Sequence, residues 1–178
     1  MLAALYYLLK GEPCEALKKD LEELERLGLV DGGKLTEKGL ETIQQLITKP
    51  IILRGKVVSG DGEGKYYLSL EGYKRQVEEK LGFTPFPGTL NVLLDPESVE
   101  KKATLMLRKP IILRGFVQNG KKFGEVLAFP ARVGGLEGAL IIPLKTHHPP
   151  EIIEVISPYE LRKALGLKNG SEVEVAVF

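Results

Sequence analysis

Lys49-Pro50-Ile51-Ile52-Leu53-Arg54-Gly55 recurs without a change as Lys109-Pro110-Ile111-Ile112-Leu113-Arg114-Gly115, and at the same offset Val57, Gly60 and Gly64 match Val117, Gly120 and Gly124. Chance is a poor explanation of so long an identity, so the chain carries an internal duplication. Around both copies the texture is one of short β-rich runs broken by Gly and Pro, among them Gly55-Lys56-Val57-Val58, Tyr66-Tyr67-Leu68 and Val173-Glu174-Val175-Ala176-Val177. Two copies are too few for a solenoid. They predict a mainly β, pseudo-symmetric closed barrel in which each half covers the other's open edge. Two short helices are expected within it, over 70–81 and over 158–165, the second ended by Gly166.

Ahead of this, residues 1–48 read as an α-rich segment. Leu2, Leu5, Leu8 and Leu9 recur at helical spacing, and Leu17, Leu21, Leu24 and Leu27 share one face before Gly28 stops the helix. Leu29-Val30-Asp31-Gly32-Gly33-Lys34-Leu35-Thr36-Glu37-Lys38-Gly39 then resembles the β-wing and last helix of a winged-helix domain, shortened by about one element. Two domains are therefore expected, a truncated winged-helix-like segment over 1–48 and a β-barrel over 49–178. Six basic residues against nine acidic ones over 1–48 leave that segment at −3, which argues against DNA binding and for a packing or dimerising appendage.

The 178 residues are 43% hydrophobic and 28% charged, enough apolar material for a core and too little charge bias for disorder. A formal net charge of +1 gives no overall field that would hold a polyanion, so any anion must be gripped locally. Cys14 is the only cysteine, which excludes an internal disulfide, a cysteine zinc site and a CxxC redox pair, and fits a cytoplasmic setting. The opening apolar run from Leu2 to Leu9 falls far short of the roughly 20 residues a membrane span needs, and no membrane association is expected.

Three clusters carry chemistry. Ser59-Gly60-Asp61-Gly62-Glu63-Gly64-Lys65-Tyr66 has glycines at alternate positions and then a lysine. That pattern suits either a backbone cradle for an oxyanion or a tight hairpin, and it is neither a Walker A loop nor GxGxxG. The second copy, Gly120-Lys121-Lys122-Phe123-Gly124, lacks the middle glycine, so the turn alone does not demand Gly62. In Pro87-Gly88-Thr89-Leu90-Asn91, the side-chain oxygens of Thr89 and Asn91 fall on the same side of an extended segment. Such oxygens suit Mg²⁺, or they close a turn on the backbone. His147 and His148 are adjacent and face opposite ways on a strand, a poor joint metal site, which leaves one of them as a hydrogen-bond donor to a ligand. Arg162 is a candidate clamp for a phosphate or a base edge.

The ordered stretches Gly55-Lys56-Val57-Val58-Ser59-Gly60, Gly62-Glu63-Gly64, Tyr67-Leu68-Ser69-Leu70, Gly88-Thr89-Leu90-Asn91, Lys145-Thr146-His147-His148, Glu151-Ile152-Ile153-Glu154 and Leu161-Arg162 resemble the archaeal CTP-dependent riboflavin kinases. The likeness runs over nearly three quarters of the chain, from about Ile51 to Phe178. It implies a cradle-loop β-barrel that converts riboflavin to FMN with CTP as phosphoryl donor, CDP as second product and Mg²⁺ or another divalent cation. An N-terminal winged helix, carried by some members, agrees with the reading of residues 1–48.

Carried onto this sequence, the resemblance implies nucleotide contacts at Gly60, Asp61, Gly62, Glu63, Gly64 and Lys65, and again at Tyr159, Glu160, Leu161 and Arg162. It implies metal ligands at Thr89 and Asn91 and flavin contacts at Thr146 and Glu154. Glu154 is also the candidate catalytic group, placed to orient or deprotonate the accepting hydroxyl. Two other classes are weighed against this one. A flavin- or nucleotide-responsive transcription regulator would need a basic recognition helix, and Lys18, Lys19 and Arg26 among Glu15, Asp20, Glu22, Glu23 and Glu25 do not make one. A noncatalytic interaction barrel would leave Gly62 and the Thr89–Asn91 pair without a purpose.

Overall fold

The computed structural model describes residues 18–60, 62–144 and 149–178. The helix expected from Leu2 to Leu9, Asp61, and the stretch 145–148 with Thr146 and both histidines lie outside them. The chain divides into two compact units, residues 1–49 with 103–108 and residues 50–102 with 109–178.

In the first unit, α1 (Lys18–Arg26) buries Leu24 completely. It stops at the glycine that follows: Gly28 takes a left-handed φ of 69°, and Leu29 N–H donates to the Leu24 carbonyl at 2.9 Å. That is a Schellman ending, which needs a residue without a Cβ penalty at this φ. A two-residue turn, Gly32-Gly33, joins β1 (Val30–Asp31) to β2 (Lys34–Leu35). Thr36 then caps α2 (Glu37–Thr48), its hydroxyl accepting from Gly39 N–H at 3.1 Å and donating to the Gly28 carbonyl at 2.7 Å. Leu24, Leu29, Val30 and Ile43 form the core of this unit. Arg108, after a 3₁₀ turn over Thr104–Leu107, donates to the carbonyls at the end of α2, Leu46 and Lys49.

The second unit is a sheet closed on itself. It uses β3 (Ile51–Val58), β4 (Leu90–Leu94), β5 (Ile111–Leu113), β8 (Val126–Val133), β9 (Leu136–Pro143), β10 (Ile152–Ile156) and β11 (Glu172–Val177) in the order β11-β3-β4-β10-β9-β8-β5. The long strand β8 closes the ring, because residues 126–128 pair with β5 while residues 131–133 pair with β11. Alternation follows from the pleat: Ile51, Leu53 and Val57 of β3 are buried, as are Val175 and Val177 of β11. Each fully buried aliphatic side chain contributes about 1.5–3 kcal/mol. Between strands lie α3 (Glu63–Ser69), α4 (Glu71–Leu81), α5 (Pro96–Ala103) and one turn, α6 (Leu161–Ala164).

Three expectations are corrected. Tyr66-Tyr67-Leu68 is helical, not a strand: Gly62 at φ 79° turns the chain directly into α3, and only Leu68 of the three is buried. The helix expected over 158–165 is confined to Leu161–Ala164, and α3 and α5 add two helices to the two expected. The two copies also diverge. The first is one continuous strand, whereas the second breaks after Leu113 and resumes as a separate hairpin, β6 (Phe116–Gln118) and β7 (Lys121–Phe123). Its turn, Asn119-Gly120, has positive φ at both residues (51° and 74°), the geometry of a type I′ hairpin. Among the described residues, no helix is long and apolar enough to cross a membrane.

Candidate active site

Strand β4 begins one residue after Thr89, and its register with β10 sets Asn91 directly opposite Glu154. Directly paired residues on neighbouring strands share a face. The segment leading into β4 is fixed from outside, Phe86 N–H donating to the Ser157 carbonyl at 2.8 Å. Three side chains consequently converge. Thr89 Oγ1 donates to Glu154 Oε1 at 3.2 Å and accepts from Asn91 Nδ2 at 3.1 Å. Asn91 Oδ1 is buried and has no hydrogen-bond partner among the described residues. Leaving such an oxygen unsatisfied costs about 1–3 kcal/mol, and a site of this kind calls for an explanation.

Gly60 and Gly64 lie directly on this cluster. A Cβ at Gly60 would run into the Asn91 side-chain amide, and one at Gly64 would stand 2.9 Å from Thr89 Oγ1. Gly60 and Gly64 are therefore required by contact with Asn91 and Thr89. Gly62 is different: a Cβ there would meet nothing within 4 Å, and the residue is required by its backbone turn. Glu63 and Lys65 sit in the first turn of α3.

The same cluster edges a cavity of about 410 Å³. Thr89, Glu154, Glu63 and Gly64 line one part of it, while Tyr67, Tyr73, Phe123 and Ile156 give it apolar walls. Lys121 and Lys122 from the β6–β7 hairpin line it as well. Matching positions of the duplication thus face a single cavity, Glu63 and Gly64 from the first copy and Phe123 and Gly124 from the second. Tyr67 meets Phe123 edge-on, with ring centres 6.4 Å apart. Burial, and after it the neighbouring Tyr67, holds the Tyr73 phenol above its usual value, and the neutral hydroxyl donates to the Gly124 carbonyl at 2.7 Å.

The remaining predicted residues fall on another segment. Tyr159 is half-exposed, its N–H donating to Ser157 Oγ at 3.2 Å; Glu160 precedes α6, and Leu161 is buried. The Arg162 guanidinium donates to the Val58 carbonyl at 2.6 Å and to Asn169 Oδ1 at 2.9 Å. Asp61 and Thr146 lie outside the described residues. Among the described residues no three His, Cys, Asp or Glu side chains gather to hold a metal. The cluster of Thr89, Asn91 and Glu154 is instead a set of hard oxygens with one unsatisfied member.

Sequence reading did not find the cavity walls. Tyr67 and Tyr73 come from the successive helices α3 and α4 and Phe123 from a stretch some fifty residues on, and the available hint was the aromatic pair Tyr66-Tyr67 beside the glycines and the two phenylalanines flanking the second copy's turn.

The model of the CTP-dependent riboflavin kinase family, described as "Domain of unknown function DUF120", matches residues 57–177. The chain is 73% identical over 179 residues to the riboflavin kinase of Ignicoccus hospitalis, covering 100% of both chains. It is 44% identical over 176 residues to the riboflavin kinase of Pyrobaculum islandicum, covering 92% of this chain and 83% of the relative. With the riboflavin kinase of Archaeoglobus fulgidus it shares 44% over 184 residues, covering 94% and 79% respectively. On the family match across the ring and the full-length likeness to these kinases, the chain belongs to the CTP-dependent riboflavin kinase family.

Proposed function

We propose that the protein transfers the γ-phosphoryl group of CTP to the 5′-hydroxyl of riboflavin, giving FMN and CDP in the cytoplasm. The observation that carries this reading is the orphaned Asn91 Oδ1, grouped with Thr89 and Glu154, which line a cavity with aromatic walls, and packed closely by Gly60 and Gly64. The closed ring is read as a cradle-loop barrel over 49–178, and residues 1–48 as a shortened winged-helix-like segment without a DNA-binding role.

The oxygens of Thr89 and Asn91, with the Glu154 carboxylate beside them, fit Mg²⁺ or another divalent cation, which prefers hard oxygen donors and keeps several waters. When bound, such an ion supplies positive charge against the oxygens of the transferring phosphoryl group. The chain's own residues do the rest. Gly60, Gly62 and Gly64, with Glu63, Lys65 and Asp61, form the strip for the triphosphate, and Tyr159, Glu160, Leu161 and Arg162 form the second nucleotide segment. The cavity of about 410 Å³ takes the flavin, its aromatic walls excluding water from the tricyclic ring, with Thr146 as a further contact.

Glu154 lines that cavity within hydrogen-bond reach of Thr89, so a hydroxyl entering along the wall meets a carboxylate held in place. In the step, the riboflavin oxygen forms its bond to the γ-phosphorus, the bond from that phosphorus to the β-bridging oxygen breaks, and the hydroxyl proton passes to Glu154. Positioning of donor and acceptor supplies most of the acceleration. Product analysis with riboflavin and each of CTP, ATP, GTP and UTP tests the reading. FMN and CDP are expected with CTP alone; FMN formation from ATP at a comparable rate, or from no nucleotide, overturns it.

A further inference from the structure

We infer that Asn169 is a positioning residue for the nucleotide, tying the 59–64 segment to the segment that carries Arg162. The inference rests on the proposed reading of those two segments as the nucleotide site.

The turn after α6 is welded to the end of β3. Gly170, at φ 84°, donates to the Val57 carbonyl at 2.8 Å, and Val57 N–H donates to the Ser171 carbonyl at 2.9 Å. Lys168 N–H donates to Ser171 Oγ at 2.9 Å, closing the turn from the inside. Asn169 stands at its tip and uses both ends of its amide. Its Oδ1 accepts from Arg162 at 2.9 Å, and its Nδ2 donates to Ser59 Oγ at 2.7 Å. Arg162 in turn holds the Val58 carbonyl at 2.6 Å. Val58 and Ser59 are the last two residues before Gly60, whose backbone lies against Asn91. One chain of hydrogen bonds, Arg162 to Asn169 to Ser59, therefore sets where the glycine strip leaves the sheet and how far it stands from the Arg162 segment.

Asn169 and Ser59 are exposed. Removing the amide leaves no cavity and no buried orphan, so its loss separates from folding stability. A strut between two binding segments acts on the ligand that spans them. Riboflavin, in the cavity lined by Glu63, Gly64, Thr89 and Glu154, touches only the first of them, since no residue of the Arg162 segment lines that cavity.

The test compares wild type with Asn169→Ala, Asn169→Asp and Ser59→Ala, measuring KM for each substrate, kcat, the Kd of CTP with Mg²⁺ by calorimetry, and Tm. Asn169→Ala and Ser59→Ala are each expected to raise KM and Kd for CTP about fivefold, what one net hydrogen bond is worth. KM for riboflavin, kcat and Tm stay within experimental scatter. Asn169→Asp restores wild-type values, because a carboxylate accepts from Arg162 and the Ser59 hydroxyl then donates to it. An unchanged Kd for CTP in Asn169→Ala, an equal rise in both KM values, or no rescue by Asn169→Asp overturns the inference while wild-type activity leaves the proposed function standing. Wild type that binds no CTP overturns both.

Discussion

Asn91 and Glu154 are register partners on β4 and β10, yet the hydroxyl that reaches the Glu154 carboxylate belongs to Thr89, and Asn91 Oδ1 is left buried without a partner among the described residues. The pairing leaves an uncompensated acceptor on the strand that faces a carboxylate, an arrangement that costs stability in the free enzyme and that the proposed cation would offset.

Replacing Asn91 with Leu should therefore separate stability from function. The near-isosteric side chain removes the unsatisfied oxygen, an expected gain of about 1–3 kcal/mol less the lost bond to Thr89. Tm of the ligand-free protein should hold or rise while FMN formation falls at least about a hundredfold. A large drop in Tm would show that Asn91 is held for packing.

Gly60 and Gly62 should respond differently to alanine. At Gly60 the added methyl meets the Asn91 amide and displaces it, so kcat/KM for CTP should fall about a hundredfold, the scale of a small misplacement at a reacting centre. At Gly62 the space is open and only the left-handed φ of 79° resists, a strain of about 1–2 kcal/mol that Gly62→Asn should relieve in part. Steady-state kinetics together with thermal unfolding of the three variants checks the contrast.

Tyr67, at the cavity wall but on the exposed side of α3, should matter for the flavin more than for the fold. Tyr67→Ala is expected to raise KM for riboflavin up to about tenfold, the upper range of an aromatic contact, with KM for CTP unchanged. Quenching of flavin fluorescence on binding should weaken in parallel. Phe123→Ala, which opens the buried cluster itself, should instead cost about 3–5 kcal/mol of stability.

Asp95 opens α5 by accepting from Ser98 N–H at 2.7 Å, and this backbone bond, followed by the Ser98 hydroxyl, holds its carboxyl below the usual 3.8. A depressed folded-state value means the contribution is complete above 3.8 and is lost as pH falls through the lower folded value. Thermal unfolding of wild type should therefore show a decline below about pH 4, and Asp95→Asn, a neutral cap of similar quality, should flatten that part of the profile. An identical acid limb in the variant would remove Asp95 as its source.

The internal duplication, the predominance of strands, the helix over α4, the Gly28 stop and the Thr89–Asn91 pair were legible in the residues, because each rests on local rules: identity, alternation, a φ only glycine adopts readily, and the two-residue pleat. What the sequence by itself could not determine is visible where two identical heptapeptides end differently. In the first copy, Arg54 N–H donates to Ser98 Oγ at 2.8 Å and its carbonyl accepts from Asp95 N–H at 3.1 Å, both from the start of α5, and β3 runs on into β4 pairing. In the second, the Gln76 side chain of α4 takes Arg114 N–H at 2.7 Å and donates to its carbonyl at 2.9 Å, and the strand leaves the sheet. The same backbone groups demand satisfaction in both copies, but which partner arrives is decided by helices far away in the chain. The cavity has the same origin, since its walls are assembled from elements far apart in the chain. Tyr67 on α3, Phe123 on β7 and Glu154 on β10 meet at one space only in the folded sheet.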